Sequence, residues 1–327
     1  MSRENIFETM ENDIMNADIS ETEKNKMLKN VMKLKENKVN IMITGATGCG
    51  KSSTINAMFD TEVAKVGIGV DPETMDIEKY ELDNLILWDT PGLGDGKEAD
   101  NMHARNIIKK LAEVDEEGNA LIDLVLVILD GGTRDLGTSY ELINNVIIPN
   151  LGKDREQRIL VAINQADMAM KGRNWDFEKN KPNHQLKAFL EEKVVSVKNR
   201  VFEATGVRID PIYYSAGYKE EGTIQNRPYN LSKLLYYIVK STPSEKRMIY
   251  ANNINDDTDV WKDDDELLDY GEETRKSILD SVAEGASKGA DIGGNIGSIF
   301  GRTGEKVGRV VGTVVGGVMG FIGGLFG

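Results

Sequence analysis

One short segment combines residue types and a spacing that could bind phosphate. Residues 45–52 read Gly-Ala-Thr-Gly-Cys-Gly-Lys-Ser and match the pattern G-x-x-x-x-G-K-[ST]. In such a loop the glycines let successive backbone N–H groups turn towards a β-phosphate, and the following helix adds the positive end of its dipole. Lys51 would bridge the β- and γ-phosphates, and the Ser52 hydroxyl would ligate Mg²⁺. The residues expected to contact a nucleoside triphosphate here are Gly45, Ala46, Thr47, Gly48, Cys49, Gly50, Lys51, Ser52 and Ser53.

A second candidate for phosphate contact is Trp88-Asp89-Thr90-Pro91-Gly92, at the end of a predicted strand. An aspartate at the carboxyl end of a strand beside the first is where the water shell of a nucleotide-bound Mg²⁺ needs a carboxylate. Gly92 would leave its backbone N–H free to approach the γ-phosphate. Since D-x-x-G alone is usually a turn, the assignment depends on its position one strand after the phosphate loop.

Between these segments, the loop 66–74 ends at Thr74, just before a predicted edge strand. We expect its hydroxyl to join Ser52 and Asp89 around Mg²⁺ and to contact the γ-phosphate. Thr61 is the alternative, and either threonine could be a turn residue.

The phosphates do not identify the base, so it must be recognised elsewhere. The predicted strand 158–163 runs into Asn164-Gln165-Ala166-Asp167. The Asp167 carboxylate could accept from guanine N1–H and the 2-amino group, whereas adenine would leave it unpaired, which disfavours ATP. Ser215 and Ala216 end the next strand, where a backbone N–H can point at guanine O6. The following loop 170–182 could close over the base or bind a partner, or be an insertion with Trp175 packed on the domain.

Strand-like and helical stretches alternate through the central part of the chain. The expected strands are apolar and short: 39–44, 85–89, 121–129, 158–163 and 209–214, with an alternating edge strand at 75–82. The expected helices are 52–59, 98–114, 138–148 and 185–204. Near-continuous apolar strands suit a parallel sheet covered on both faces. The pattern predicts an α/β, doubly wound fold.

The five segments, in this order at strand ends, resemble the G-domain motifs of the translation-factor-related GTPases. The loop with Gly48 and Ser53, followed by WDTPGLGDG, is similar to the septin-like and Era-like branches, and most similar to bacterial GTPases labelled ribosome-binding or YfjP-like. The resemblance covers about residues 39–240. It implies a P-loop NTPase G domain, with a mostly parallel six-stranded sheet, one antiparallel edge strand and helices on both faces. It also implies GTP or GDP and Mg²⁺ as ligands, and hydrolysis of GTP.

Two positions depart from the pattern of these GTPases. Gln165 replaces the usual lysine of N-K-x-D, whose stem packs over the base, so guanine affinity should fall while Asp167 keeps the discrimination. Leu93 stands where related GTPases often have a glutamine that orients water, so intrinsic hydrolysis should be slow without a partner. Gly48 occupies the place of the asparagine that marks potassium-activated members, so potassium activation is not indicated.

Glycine is concentrated at the C-terminus, where 15 of the 33 glycines fall within residues 281–327. Many recur every fourth residue, a glycine zipper that in a helix allows close helix–helix approach. Residues 310–327 carry no charge and would be about 27 Å long as a helix, against a hydrocarbon core of about 30 Å. In water each glycine would cost about 1 kcal/mol relative to alanine, so an isolated helix should not form. We expect membrane contact or self-association; a helical hairpin and a disordered tail are the alternatives.

Composition limits the function classes. The 327 residues include 54 acidic and 40 basic side chains, for a net charge of −14. This balance gives no support to nucleic acid or ribosome binding. One cysteine excludes a disulfide framework and fits a reducing cytosol, and the N-terminal residues do not resemble a secretory signal. His103 and His184 are expected at the surface and receive no role.

We therefore expect four parts: a helical lead (1–37) with a capping box from Ser20 to Glu23, a G domain (38–245), an acidic linker with a solvated helix (246–280) and the glycine-zipper tail (281–327). The expected protein is a cytoplasmic GTPase and nucleotide switch. It would pair through its G domains and meet the inner membrane or a helix partner through its tail. An ATPase of the same fold, and a membrane-associating or scaffold protein with regulatory nucleotide binding, are the rival functions.

Overall fold

The computed structural model describes residues 5–59, 77–92, 97–217 and 227–288. Its helices are α1 (Ile6–Asn16), α2 (Glu21–Glu36), α3 (Lys51–Met58), α4 (Lys97–Leu111), α5 (Gly137–Glu141), α6 (His184–Thr205), α7 (Leu231–Ser241) and α8 (Tyr270–Lys288). Its strands are β1 (Val39–Gly45), β2 (Glu78–Leu82), β3 (Leu85–Asp89), β4 (Leu124–Asp130), β5 (Ile159–Asn164), β6 (Trp175–Asp176), β7 (Lys181–Pro182) and β8 (Ile212–Tyr213).

Six of the described strands form one sheet in the order β2-β3-β1-β4-β5-β8. β2 is antiparallel to its neighbour β3, and every other pairing is parallel. The register places Ile43 opposite Asp89, and Asp130 opposite Asn164. The carboxyl ends of β1, β3, β4 and β5 therefore meet at one edge. The predicted α/β fold with one antiparallel edge strand is confirmed.

The sheet separates two apolar cores, because alternate side chains of a strand point to opposite faces. Ile41 and Ile43 of β1 belong to the core that includes residues of α1, α2, α3, α7 and α8. Met42 belongs to the other, with residues of α4 and α6. β1 is buried along its whole length and β4 up to its last residue, as their continuous apolar sequences require.

Several predicted elements have different bounds in the structure. β8 is limited to two residues, because Pro211 before it has no N–H to give to a ladder. β4 begins at Leu124 rather than at residue 121. The helix expected over 138–148 changes geometry along its length: α5 is followed by a π-helical segment, Leu142–Ile147, and a 3₁₀ turn, Ile148–Asn150, that contains Pro149.

The N-terminal helices pack on the sheet domain. The predicted capping box of α2 is confirmed, since Ser20 accepts from the Glu23 amide and Glu23 accepts from the Ser20 amide. α1, which the sequence reading did not separate from α2, buries Ile6 and Ile14. Its first amide donates to Asn252 Oδ1 at 3.0 Å, which joins α1 to the segment that follows α7.

The acidic stretch 246–280 is not a solvated connection, and that expectation is wrong. The 3₁₀ segments Ser244–Asn252 and Thr258–Trp261 lead to α8, and Trp261 and Ile278 are buried in the core. Asp265 is ion-paired with Lys233 of α7 at 2.6 Å. The many acidic residues of this stretch concealed its apolar positions. They pack in the same core as α7, a helix that was not predicted from the sequence.

No helix among the described residues is both long and apolar enough to span a membrane. Most of the glycine-zipper tail, residues 289–327, lies outside the described residues; residues 281–288 form the last part of α8.

Candidate functional site

The predicted phosphate loop connects β1 to α3 at the carboxyl edge of the sheet. Its last glycine, Gly50, has φ +89°, and a side chain there would also overlap the Asn164 amide, so glycine is required. Lys51 begins α3, and its Nζ lies 3.5 Å from the carbonyl oxygen of Gly45. Cys49 is buried, and burial raises the pKa of its thiol to about 11, which makes it a packed and unreactive residue at neutral pH.

Asp89 reaches the same loop from the end of β3. It is only 9% exposed, and the charge of Lys51 and the Ser52 hydroxyl both favour its ionised form. Burial raises its pKa to about 6. Its Oδ1 has no hydrogen-bond partner among the described residues. A buried oxygen of this kind is costly unless a ligand satisfies it, and carboxylate with hydroxyl oxygen is a donor set that suits Mg²⁺.

The residues after Asp89 lie directly against the phosphate loop. Thr90 donates from its amide to Ile43 O at 3.0 Å and from its hydroxyl to Thr44 Oγ1 at 2.8 Å. A Cβ atom at Gly92 would lie 2.5 Å from the amide nitrogen of Thr47. The two predicted phosphate segments are thus in contact, and only glycine permits the approach.

Asn164 joins the phosphate loop to the predicted base segments. Its Nδ2 donates to Cys49 O at 2.9 Å, and its Oδ1 accepts from the amide of Ala216 at 3.0 Å. Gln165 Nε2 donates to Gly48 O at 2.8 Å. The sequence reading placed these residues beside the base; the structure adds that both hold the shape of the phosphate loop.

Asp167 and Ser215 form a pair at the same edge. The Ser215 hydroxyl donates to Asp167 Oδ1 at 2.7 Å, which orients the carboxylate. The predicted base-reading carboxylate and the predicted O6-binding strand end therefore lie together.

Several predicted residues do not enter this arrangement. Thr74, Thr61 and Leu93 lie outside the described residues. Ser53 is exposed on α3. His184 is exposed as expected. His103 lies on the buried face of α4 and is only 8% exposed, so the prediction of a surface position is wrong for it.

The loop after Asp167 is anchored rather than open. Trp175 is buried and meets the Tyr229 ring edge-on, with centroids 5.3 Å apart. β6 and β7 form a small hairpin that exposes Phe177 at its turn. This favours the insertion with a packed tryptophan over a loop that closes on the base.

Sequence reasoning missed a lysine that shapes the end of β4. Lys193 of α6 donates to the carbonyl oxygens of Asp130, Gly131 and Thr133 at 3.1, 2.8 and 2.6 Å. Burial lowers its pKa. A lysine in the middle of a long amphipathic helix gives no local signal of such a role.

Comparison with known proteins agrees with this geometry. Residues 40–165 match the family model described as "50S ribosome-binding GTPase", a segment that runs from β1 through Gln165. The match supports a G-domain GTPase as the class of the central domain, although it covers less than half of the chain. No curated protein matches the sequence.

Several solved structures match this chain. One is LeoA, a bacterial dynamin GTPase from ETEC, with 15% identity, a TM-score of 0.38 and coverage of 86% of this chain and 47% of that one. Toc33 from Arabidopsis thaliana, in complex with Mg²⁺ and GMPPNP, has 16% identity, a TM-score of 0.39 and coverage of 63% and 83%. The G domain of T. maritima FeoB has 20% identity, a TM-score of 0.32 and coverage of 63% and 99%. The chain spans about half the length of LeoA.

Proposed function

We propose that the protein binds GTP with Mg²⁺ and hydrolyses it slowly to GDP and phosphate, as a nucleotide switch. The observation that carries the proposal is the double hydrogen bond of Asn164, which joins the phosphate loop at Cys49 to the base segment at Ala216. One edge of the sheet thereby offers a phosphate cradle and a carboxylate for a purine in a single site.

Each residue has a distinct part in this proposal. Lys51 and the amides of residues 45–52 would hold the β- and γ-phosphates and stabilise negative charge on the transferred phosphoryl group. Ser52 and Asp89 would hold Mg²⁺, with Thr74 completing the set; the bound ion would supply further charge neutralisation. Gly92 would present its N–H to the γ-phosphate, and Asp167, oriented by Ser215, would accept from the guanine edge.

Calorimetric titration of the protein with GTP and ATP, with and without Mg²⁺, tests the ligand. We expect GTP to bind and ATP to bind at least 100-fold more weakly, because adenine leaves the Asp167 carboxylate without donors. Asp167→Asn should weaken GTP and favour xanthosine triphosphate, whose edge offers an acceptor to the new amide. Equal binding of ATP and GTP would replace this proposal with the ATPase of the same fold.

We further propose that the tail, residues 281–327, acts in membrane contact or self-assembly, which rests on its repeating glycines and uncharged end. Vesicle flotation of the full chain against a variant ending at Lys288, where α8 ends, tests membrane contact. Light scattering of the same two proteins tests self-assembly. If both dimerise with GTP, pairing through the G domains is the alternative. Equal behaviour of the two variants in both assays would remove the role of the tail.

A further inference from the structure

A fully buried tyrosine on the base side of the site contacts α3, the helix that follows the phosphate loop. The hydroxyl of Tyr214 lies 2.6 Å from Thr54 Oγ1, and Tyr214 has no exposed surface. Thr54 Oγ1 in turn donates to Gly50 O at 2.8 Å. Because the threonine hydroxyl has one hydrogen and gives it to this carbonyl, the tyrosine must be the donor to Thr54. Burial raises the pKa of Tyr214 well above its ordinary value, so the phenol keeps its proton.

This relay, from Tyr214 through Thr54 to Gly50, ends at the peptide that joins the phosphate loop to α3. Gly50 O accepts a second hydrogen bond from the Thr54 amide at 3.0 Å. The Gly50 carbonyl and the Lys51 N–H belong to one rigid peptide plane, so fixing one fixes the direction of the other. The Lys51 N–H is among the loop amides expected to surround the phosphates. The relay therefore sets the orientation of a peptide at the junction of loop and helix.

The start of the relay is fixed to the base side. The Tyr214 amide donates to Ile163 O at 2.8 Å, and its carbonyl accepts from the Ala166 amide at 3.1 Å. These two bonds bracket Asn164 and Gln165, and Ser215 follows at once in the chain. Tyr214 is thus held by the base segments through its backbone, and its side chain is connected through Thr54 to Gly50 of the phosphate loop.

We propose that the Tyr214 hydroxyl is a positioning group that, through Thr54, holds the phosphate loop in its nucleotide-binding shape and couples it to the base segments. The inference rests on the proposed function, since it assigns a further residue to the same site. It adds a connection 160 residues apart in sequence to the one made by Asn164.

The chain contains a matched control for this arrangement. Tyr250 is also fully buried, and its hydroxyl lies 2.7 Å from Thr242 Oγ1, which donates to Ile238 O at 2.9 Å. The chemistry is the same: a tyrosine, a threonine and the carbonyl four residues earlier. The charge of Asp123 acts on the Tyr250 hydroxyl. Asp123 comes just before β4, so this pair lies at the amino end of the sheet.

The test compares Tyr214→Phe with Tyr250→Phe. Both should shift the urea midpoint of unfolding by a similar amount, because each removes one buried hydroxyl. Only Tyr214→Phe should weaken Mg²⁺·GTP, by about fivefold, measured by calorimetry at a temperature where all variants are folded. Most of the loss should appear as faster GTP dissociation in stopped-flow experiments.

Thr54 provides a second test if Tyr214→Phe fails to fold. Thr54→Val removes the relay and should weaken GTP binding at least as much. Thr54→Ser keeps the hydroxyl and should bind GTP within about twofold of the original protein. Thr242→Val, the control at the other pair, should leave GTP affinity unchanged. If the original protein binds GTP and Tyr214→Phe and Thr54→Val bind it equally well, the inference is overturned and the proposed function stands. Equal weakening by the Tyr250 and Tyr214 variants would also overturn it. Absence of GTP binding by the original protein would overturn both.

Discussion

The two ends of the sheet each bury an aspartate but satisfy it differently. At the amino end, Asp123 accepts from the Asn40 amide at 2.8 Å and from Lys246 Nζ at 2.7 Å, so each of its oxygens has a partner. At the carboxyl end, Asp89 Oδ1 has no hydrogen-bond partner among the described residues, and Lys51 makes only a 3.5 Å contact with Gly45 O. Hydrogen-bond partners offset the cost of burying Asp123, while the unsatisfied oxygen of Asp89 indicates where a ligand completes the structure.

The same contrast extends to the lysines. Lys246 is held in an ion pair with Asp123, whereas the charge of Lys51 is shared weakly between a carbonyl and Asp89. The amino end therefore resembles a structural clamp, and the carboxyl end a site prepared for an anion and a cation together. Three predictions test this comparison.

The largest effect is expected from the two lysines. Lys51→Ala should weaken GTP at least 100-fold, because it removes a charge-assisted contact to two phosphates. Lys246→Ala should leave GTP affinity unchanged but lower the free energy of unfolding by about 2 kcal/mol, because Asp123 loses its countercharge in a largely buried position. Calorimetry and urea unfolding measure the two quantities. Unchanged GTP affinity in Lys51→Ala would refute the site assignment.

The two aspartates should respond oppositely to removal of their charge. Since the pKa of Asp89 is about 6 in the folded protein and about 4 when unfolded, the folded state binds the additional proton between these values. The stability of the Mg²⁺-free protein due to Asp89 is present below about pH 4 and lost as the pH rises through 6, about 3 kcal/mol in all.

Asp89→Asn should therefore remove that pH dependence and raise the free energy of unfolding at pH 8 without Mg²⁺, as urea titrations across the pH range would show. Asp123→Asn should lower it, because Lys246 and the Asn40 amide lose a charged acceptor. The comparison between the two ends would fail if both substitutions destabilised the protein equally.

The smallest effect concerns the orientation of Asp167. Ser215→Ala removes the 2.7 Å hydrogen bond to its carboxylate and should weaken GTP about fivefold, with little change for ATP. Ser232→Ala is the matched control, since Ser232 donates to Asp264 Oδ2 at 2.8 Å in the C-terminal segment. That variant should bind GTP as the original protein does; a fivefold loss in both would show that the effect is not specific to the site.

Local sequence signals were sufficient for the phosphate loop and for most of the sheet. The glycines and Lys51 form a contiguous pattern, and β1, β3, β4 and β5 are apolar runs whose order in an α/β fold is restricted by chain connectivity. Local signals failed where composition concealed an apolar face, as in the acidic stretch that buries Trp261 and Ile278. They also failed at β8, which Pro211 shortens.

The sequence by itself determined that a strand, a glycine-rich loop and a helix follow one another, because backbone conformation there depends on neighbouring residues. Only the tertiary structure decided which distant side chains complete the loop: Asn164 reaches Cys49 across 115 positions, and Tyr214 reaches Thr54 across 160. It also decided that Asp123 is satisfied and Asp89 is not. Hydrogen-bond partners and desolvation are properties of the packed chain, and spacing along the sequence does not encode them.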